Sequence, residues 1–199
     1  NDLEAFALSD LNEMERVGSS AEVNVVVQID RSAAYDRSDG DWTSTKRFYL
    51  ERDRDQRRLA STELADLGET NTGDPENLSD FLIWGVQTYP AEKFGVIIWD
   101  HGGSWLGVAH DYDIPEIDGL TMPELSQALE KTQVETGVET FELLGFDACL
   151  MGAIEVYETI QPFAKYSVGS PELVPGQGWD YGTVLSELVT MPAMDGIAL

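Results

Sequence analysis

The sequence predicts an α/β fold built on an open, mostly parallel sheet, and three observations carry that prediction. Two apolar runs, Phe94 to Gly103 (FGVIIWDHGG) and Phe141 to Leu150 (FELLGFDACL), end abruptly in polar residues, as a buried parallel strand does where it delivers side chains to a sheet edge. Strand patterns alternate with helical ones, which implies parallel pairing through right-handed crossovers. The 199 residues, 42% of them hydrophobic and five of them Trp, suffice for one sizeable core and fit a single domain over 1–199, although two small ones also fit. In such a sheet the ligand crevice lies outside the carboxyl ends of the strands, where His101 and Cys149 fall.

Asp2 to Val17 reads as an amphipathic helix, with Leu3, Phe6, Ala7, Leu11 and Met14 at helical spacing and Gly18 as a stop. Val23 to Asp30 (VNVVVQID) is a strand apolar enough to be buried on both faces, and Arg31 to Thr45 is a polar loop holding Trp42. Lys46 to Asp53 (KRFYLERD) is a short strand whose basic residues suit a solvated edge. Asp66 to Gly73 is turn-like, and Asp74-Pro75 is an N-cap with proline at the first position of a helix running to Tyr89. This helix should bury Leu78, Phe81, Leu82 and Val86 before Pro90 ends it. After the strand to His101, one long loop covers Gly102 to Leu120. Thr121 to Glu124 is a capping-box signature for a helix to Thr136. The strand to Cys149 is followed by a helix over Leu150 to Ile160, a strand at Lys165 to Ser170, a Pro/Gly-rich loop at Pro171 to Asp180 and a helix over Tyr181 to Val189.

Charge narrows the partners. Twelve Lys and Arg face 37 Asp and Glu, a net charge of −25 that repels nucleic acid and anionic membrane and favours basic partners. Eight of the basic residues lie between Arg31 and Arg58, and beyond them only Lys93, Lys131 and Lys165 are cationic. A cationic peptide is therefore drawn to the second part of the chain, although solubility alone also explains an acidic surface. No apolar run reaches the ~20 residues that span a bilayer. The single cysteine excludes an intramolecular disulfide, and no signal peptide is visible in this stretch.

A thiol is a strong nucleophile only as thiolate, and an imidazole can take its proton and later protonate a leaving amine. His101 and Cys149 suffice for such a dyad. Asp147, two residues before Cys149, should share its side of the strand, where it could hold a cationic substrate group or merely cap the next helix. The N–H groups of Gly102 and Cys149 are the natural oxyanion donors. Each feature also has a plainer reading: a lone Cys after an apolar run is more often a small core residue, and a His before two glycines can be a turn residue. A metal site of His101 with His110, Asp111 and Asp113 has no recognised ligand spacing.

The segments DLNEMERVGS, VNVVVQIDR, LGETNTGDPENLSDFLIWG, VIIWDHGGSWLGVAHD, GFDACLMGAIEV and VGSPELVPGQGWDY together cover almost the whole chain. On these the chain resembles the clostripain family of cysteine peptidases, relatives of caspases, gingipains and legumain. The resemblance implies a caspase-like three-layer sandwich with a mostly parallel sheet flanked by helices. By it, His101 is the base, Cys149 the nucleophile, and Asp147 lies in the pocket for a P1 arginine or lysine. The loop with Glu172, Pro175, Gly176, Gly178 and Trp179 resembles the pocket wall, Glu172 and Trp179 as substrate-binding residues. It further implies secretion, no cofactor for the chemistry, and calcium as an activator in some relatives. Asp111, Asp113, Glu116 and Asp118 are the candidates for calcium, but without EF-hand spacing.

Three departures from the family pattern stand out. The family's first strand, normally central in the sheet and preceding NDLE, is missing here, so the chain is expected to be a fragment, truncated there and at its C-terminus. Relatives activate by a cut after a basic residue between His and Cys, whereas the loop Gly102 to Leu120 has no Lys or Arg and the interval offers only Lys131, inside a helix. Ser104 stands where glycine is common. The expected function is a cysteine endopeptidase cutting after Arg, or after Lys. The alternatives are a non-catalytic module that binds basic peptides and a metal-dependent hydrolase using His101 and His110.

Overall fold

The structure is a computed structural model that describes residues 2–33, 35–112, 114 and 116–199. In chain order the elements are α1 (Glu4–Glu15), β1 (Val26–Ile29), β2 (Lys46–Tyr49), β3 (Thr62–Asp66), α2 (Pro75–Thr88) and β4 (Gly95–Trp99). A 3-10 turn (Ser104–Leu106) follows, then β5 (Val108–Asp111), β6 (Asp118–Leu120), α3 (Met122–Thr136), β7 (Phe141–Asp147), α4 (Ile154–Ile160), β8 (Ala164–Gly169) and α5 (Tyr181–Thr190). The chain divides into two compact units, one of Asn71–Pro175 and one of the chain up to Thr70 with Gly176–Leu199. Among the described residues no helix is long and apolar enough to cross a membrane.

The unit Asn71–Pro175 holds the parallel sheet, in the order β4-β7-β8. Val96, Ile98, Leu144 and Phe146 of its strands join Leu82 of α2, Leu125 and Leu129 of α3 and Val156 and Ile160 of α4 in one apolar core. The starts of α2 and α3 are as the sequence predicts. Asp74 caps α2 by accepting the Glu76 N–H at 2.8 Å, and Thr121 with Glu124 closes the capping box of α3. Two expectations fail in this unit. The segment 102–120 is not one loop, because β5 and β6 pair antiparallel within it, and their register shifts between Val108 and His110 around the left-handed Ala109 (φ 59°). The helix after β7 begins at Ile154 rather than Leu150, because Leu150 is also left-handed (φ 64°) and cannot continue an α-helix.

The other unit carries an antiparallel sheet in the order β1-β2-β3. Parallel pairing needs a crossover of a dozen or more residues, usually helical, and among the described residues the links between these strands contain no helix. β1 is half-exposed along most of its length rather than buried on both faces. β2 is central rather than an edge, and its cations are paired: Lys46 Nζ lies 2.7 Å from Glu63 Oε2 on β3, and Arg47 Nε donates to Gln28 Oε1 on β1 at 2.8 Å. Leu8 and Leu11 of α1 pack on Ile29, Phe48 and Leu50.

α1 also buries polar residues where the sequence predicts an apolar stripe, and two of them, Glu4 and Glu15, bind neighbouring loops. Glu4 accepts Arg31 Nε at 2.8 Å and the Ser32 N–H at 3.0 Å. Arg31, fully buried, donates onward to the carbonyls of Ser38 and Asp36 and lies 4.2 Å from the Trp42 ring centroid. Polar loop and tryptophan thus wrap one guanidinium. At the other end of α1, Glu15 Oε1 accepts the N–H groups of Ala60 and Ser61. Removing one member of a buried pair leaves the other charge uncompensated. Arg31→Met should therefore cost about 3–5 kcal/mol. The double change Arg31→Met with Glu4→Leu should cost clearly less, as urea denaturation can measure; equal costs would show that the ion pair is not what holds the loop.

Candidate active site

Register brings the two candidate residues together. β4 and β7 pair in parallel with Trp99 opposite Asp147, so His101 and Cys149 each lie two residues beyond the same rung on adjacent strands. Adjacent strands lie about 4.8 Å apart. Past the rung the chains stay close: Asp100 N–H donates to the Asp147 carbonyl at 3.4 Å. A Cβ on Gly102 would collide with the Cys149 carbonyl oxygen and would lie 3.1 Å from Ala148 Cβ. Only glycine permits that approach.

The His101 side is held by the hairpin. Ala109 N–H donates to the His101 carbonyl at 3.2 Å and Gly103 N–H to the Gly107 carbonyl at 2.8 Å, flanking the isolated bridge between Gly102 and Val108. His110 N–H donates to Asp100 Oδ2 at 2.6 Å. The His101 ring is edge-on to Tyr112, with centroids 6.4 Å apart. Ser104 takes a left-handed backbone (φ 59°), a conformation that glycine adopts without steric cost.

The strand ends at Asp147, so Cys149 sits in a turn and the two-residue alternation of the strand does not extend to it. That turn is tied to the segment after β8. Leu150 N–H donates to the Glu172 carbonyl at 3.1 Å and Gly152 N–H to the Ser170 carbonyl at 2.7 Å. Val174 then meets the thiol with both backbone groups: its N–H lies 3.3 Å from Cys149 Sγ, and Sγ lies 3.7 Å from its carbonyl oxygen. The Gly102 and Cys149 N–H groups take no part in the hairpin bonds or in the ties to 170–172. Sequence patterns give no sign of Val174 or Tyr112, since both contacts depend on loops that the turns bring back.

Asp147 is 3% exposed, and it caps no helix, because the N-cap of α4 is Ala153. Glu172 is exposed beside the thiol turn, and Pro175 ends the same unit. Gly176, Gly178 and Trp179 belong to the other unit. There Gly176 lies against the Phe6 ring, and the Trp179 ring is 6.4 Å from that of Tyr181.

The proposed cation ligands have other partners. Asp111 Oδ2 accepts the Thr72 N–H at 2.9 Å and Asp118 Oδ2 accepts Asn71 Nδ2 at 2.7 Å, so both carboxylates hold the segment that leads into α2. Glu116 is exposed, and Asp113 lies outside the described residues. His110 pairs across the hairpin with Gly119, where a Cβ would lie 2.8 Å from its ring. Among the described residues, His101, His110 and Asp111 do not form a group at metal-ligand spacing.

Known proteins share this arrangement of elements. Clostripain of Hathewaya histolytica is 29% identical over 216 residues, covering 94% of this chain and 40% of that protein. A secreted C11 cysteine protease from Bacteroides thetaiotaomicron, solved with an irreversible peptide inhibitor, superposes with a TM-score of 0.76 at 28% identity. An inactive zymogen C11 protease from Parabacteroides distasonis has a TM-score of 0.69 at 22% identity. Each comparison covers 94% of this chain and 50% of the solved one, so the chain spans half or less of the length of these relatives. The α/β class with a parallel sheet is thus the fold of solved cysteine proteases. The model of the clostripain family matches residues 1–198, and the chain belongs to that family.

Proposed function

We propose that this chain carries the catalytic site of a cysteine endopeptidase that hydrolyses peptide bonds after arginine, or after lysine. The observation that supports this most is the common rung beneath His101 and Cys149, with Gly102 pressed on the Cys149 carbonyl. In this reading His101 takes the thiol proton, Cys149 Sγ attacks the carbonyl carbon, and the developing oxyanion is met by the N–H groups of Gly102 and Cys149. The imidazolium then protonates the leaving amine, and water hydrolyses the thioester by the reverse proton path. The Val174 N–H, 3.3 Å from Cys149 Sγ, fixes the position of the sulfur from the other side.

Asp147 is the carboxylate that selects a basic P1 residue, with Glu172 as a further candidate for substrate contact. A buried carboxylate matches a guanidinium, whose planar fork pairs with two oxygens, better than it matches an ammonium, so arginine should be preferred. The chemistry needs no cofactor, and calcium enters only as an activator. The substrates are proteins or peptides with basic residues, met outside the cytoplasm, a reading supported by the relative described as secreted. Activation by a cut after Lys131 is unfavourable, because Lys131 lies within α3 and its Nζ is 2.5 Å from Glu76 Oε2.

A fluorogenic peptide series with Arg, Lys, Asp or Leu at P1, run on the full-length protease, tests the reading directly. Arg and Lys peptides should be cleaved preferentially, and Cys149→Ala should abolish turnover; retention of full turnover would sink the nucleophile assignment. Loss under thiol alkylation is expected, with insensitivity to chelators apart from any effect of calcium as activator, and loss under chelation with survival of alkylation would favour a metal hydrolase. Asp147→Asn should lose the preference for basic P1 while Cys149 remains alkylatable; unchanged selectivity would remove Asp147 from the pocket.

A further inference from the structure

Three large apolar side chains lie exposed close to His101. Trp105 and Leu106, each 63% exposed, occupy the 3-10 turn that begins three residues after it, and Tyr112, 39% exposed, meets the imidazole edge-on. The turn is firmly closed: Leu106 N–H donates to the Gly103 carbonyl, Gly107 N–H to the Ser104 carbonyl and Gly103 N–H to the Gly107 carbonyl. It packs on α4, whose first residue Ile154 is itself 69% exposed. None of these four side chains belongs to the core beneath the sheet. Single exposed hydrophobes need no explanation, but a rigid group of them beside a reactive centre marks a contact surface.

The direction of the chemistry says which half of a substrate meets this surface. When Cys149 Sγ forms the thioester bond, the C–N bond breaks, and the thiol proton, carried by the imidazole, goes to the departing nitrogen. The residue after the scissile bond must therefore lie on the His101 side, while the P1 side chain is directed to Asp147. We propose that Trp105, Leu106 and Tyr112 form a subsite for an apolar side chain at the first or second position after the cut. This inference rests on the peptidase reading and extends it: the enzyme selects a basic residue before the bond and a hydrophobic one after it.

The test uses internally quenched peptides with Arg at P1 and Gly, Asp, Leu or Phe at each of the next two positions, cleaved by the full-length protease. At one of these positions kcat/KM should favour Leu and Phe over Gly and Asp by about tenfold, the order expected for partial burial of such a side chain. Trp105→Ala with Leu106→Ala should reduce that ratio to within about twofold, and Trp105→Phe with Leu106 intact should retain most of it. Circular dichroism with an unchanged thermal midpoint checks that each variant is folded. Cleavage after Arg with no preference in the wild type, or with the same preference in the double variant, overturns the subsite and leaves the peptidase reading standing. Failure to cleave any peptide after Arg or Lys removes both.

Discussion

The constraint on which the rest of the site depends is the parallel register of β4 on β7. With Trp99 opposite Asp147, two chain segments far apart in sequence leave the sheet at the same level, and His101 and Cys149 follow by equal steps. A slip of one residue would invert the faces of one strand and separate the pair. The register is specified from both sides of the rung. Below it, Val96 and Ile98 share one core with Leu144 and Phe146. Above it, the missing side chain of Gly102 allows the backbone to rest on the Cys149 carbonyl. Packing thus sets the separation of the two candidate residues before any polar contact does.

Around that rung, several backbone positions are held in uncommon conformations. Ser104 and Leu150, both left-handed without being glycine, stand three residues after His101 and one after Cys149. Such conformations cost of order 1–3 kcal/mol and persist where the surroundings over-determine them. Here the surroundings are visible as the hairpin bonds at Gly103 and Gly107 and the bonds from Leu150 and Gly152 to Glu172 and Ser170. Left-handed Leu150 turns the chain out of the strand at the thiol, so that Val174 meets the sulfur.

Legibility in the sequence tracked burial. The strands at β4 and β7 were readable because their faces lie in the core, and α2 and α3 because their caps use local side chains. β3 was not, since Thr62–Asp66 is polar and almost wholly exposed, and its partner on β2 supplies the charges that fix it. The β5–β6 hairpin was hidden by its bulge and by strands of four and three residues. The polar face of α1 misled in the opposite direction, because Glu4 and Glu15 are buried for the sake of loops 28 and 45 residues away. Within the candidate site, His101, Gly102, Cys149 and Asp147 could be named from strand ends, whereas the thiol contact of Val174 depends on a turn and a loop meeting, which no periodicity records.

The central claim is that the β4–β7 rung delivers an imidazole to the thiol. A crystal structure of the full-length protease, inactivated by a peptidyl chloromethyl ketone with arginine at P1, measures it most directly. The account predicts a thioether at Cys149 Sγ, an arginine side chain directed to Asp147, and a His101 ring nitrogen at about 2.6–3.2 Å from the inhibitor's reacting end or one water away from it. A thioether at Cys149 with the His101 ring turned away and another base in its place would contradict it.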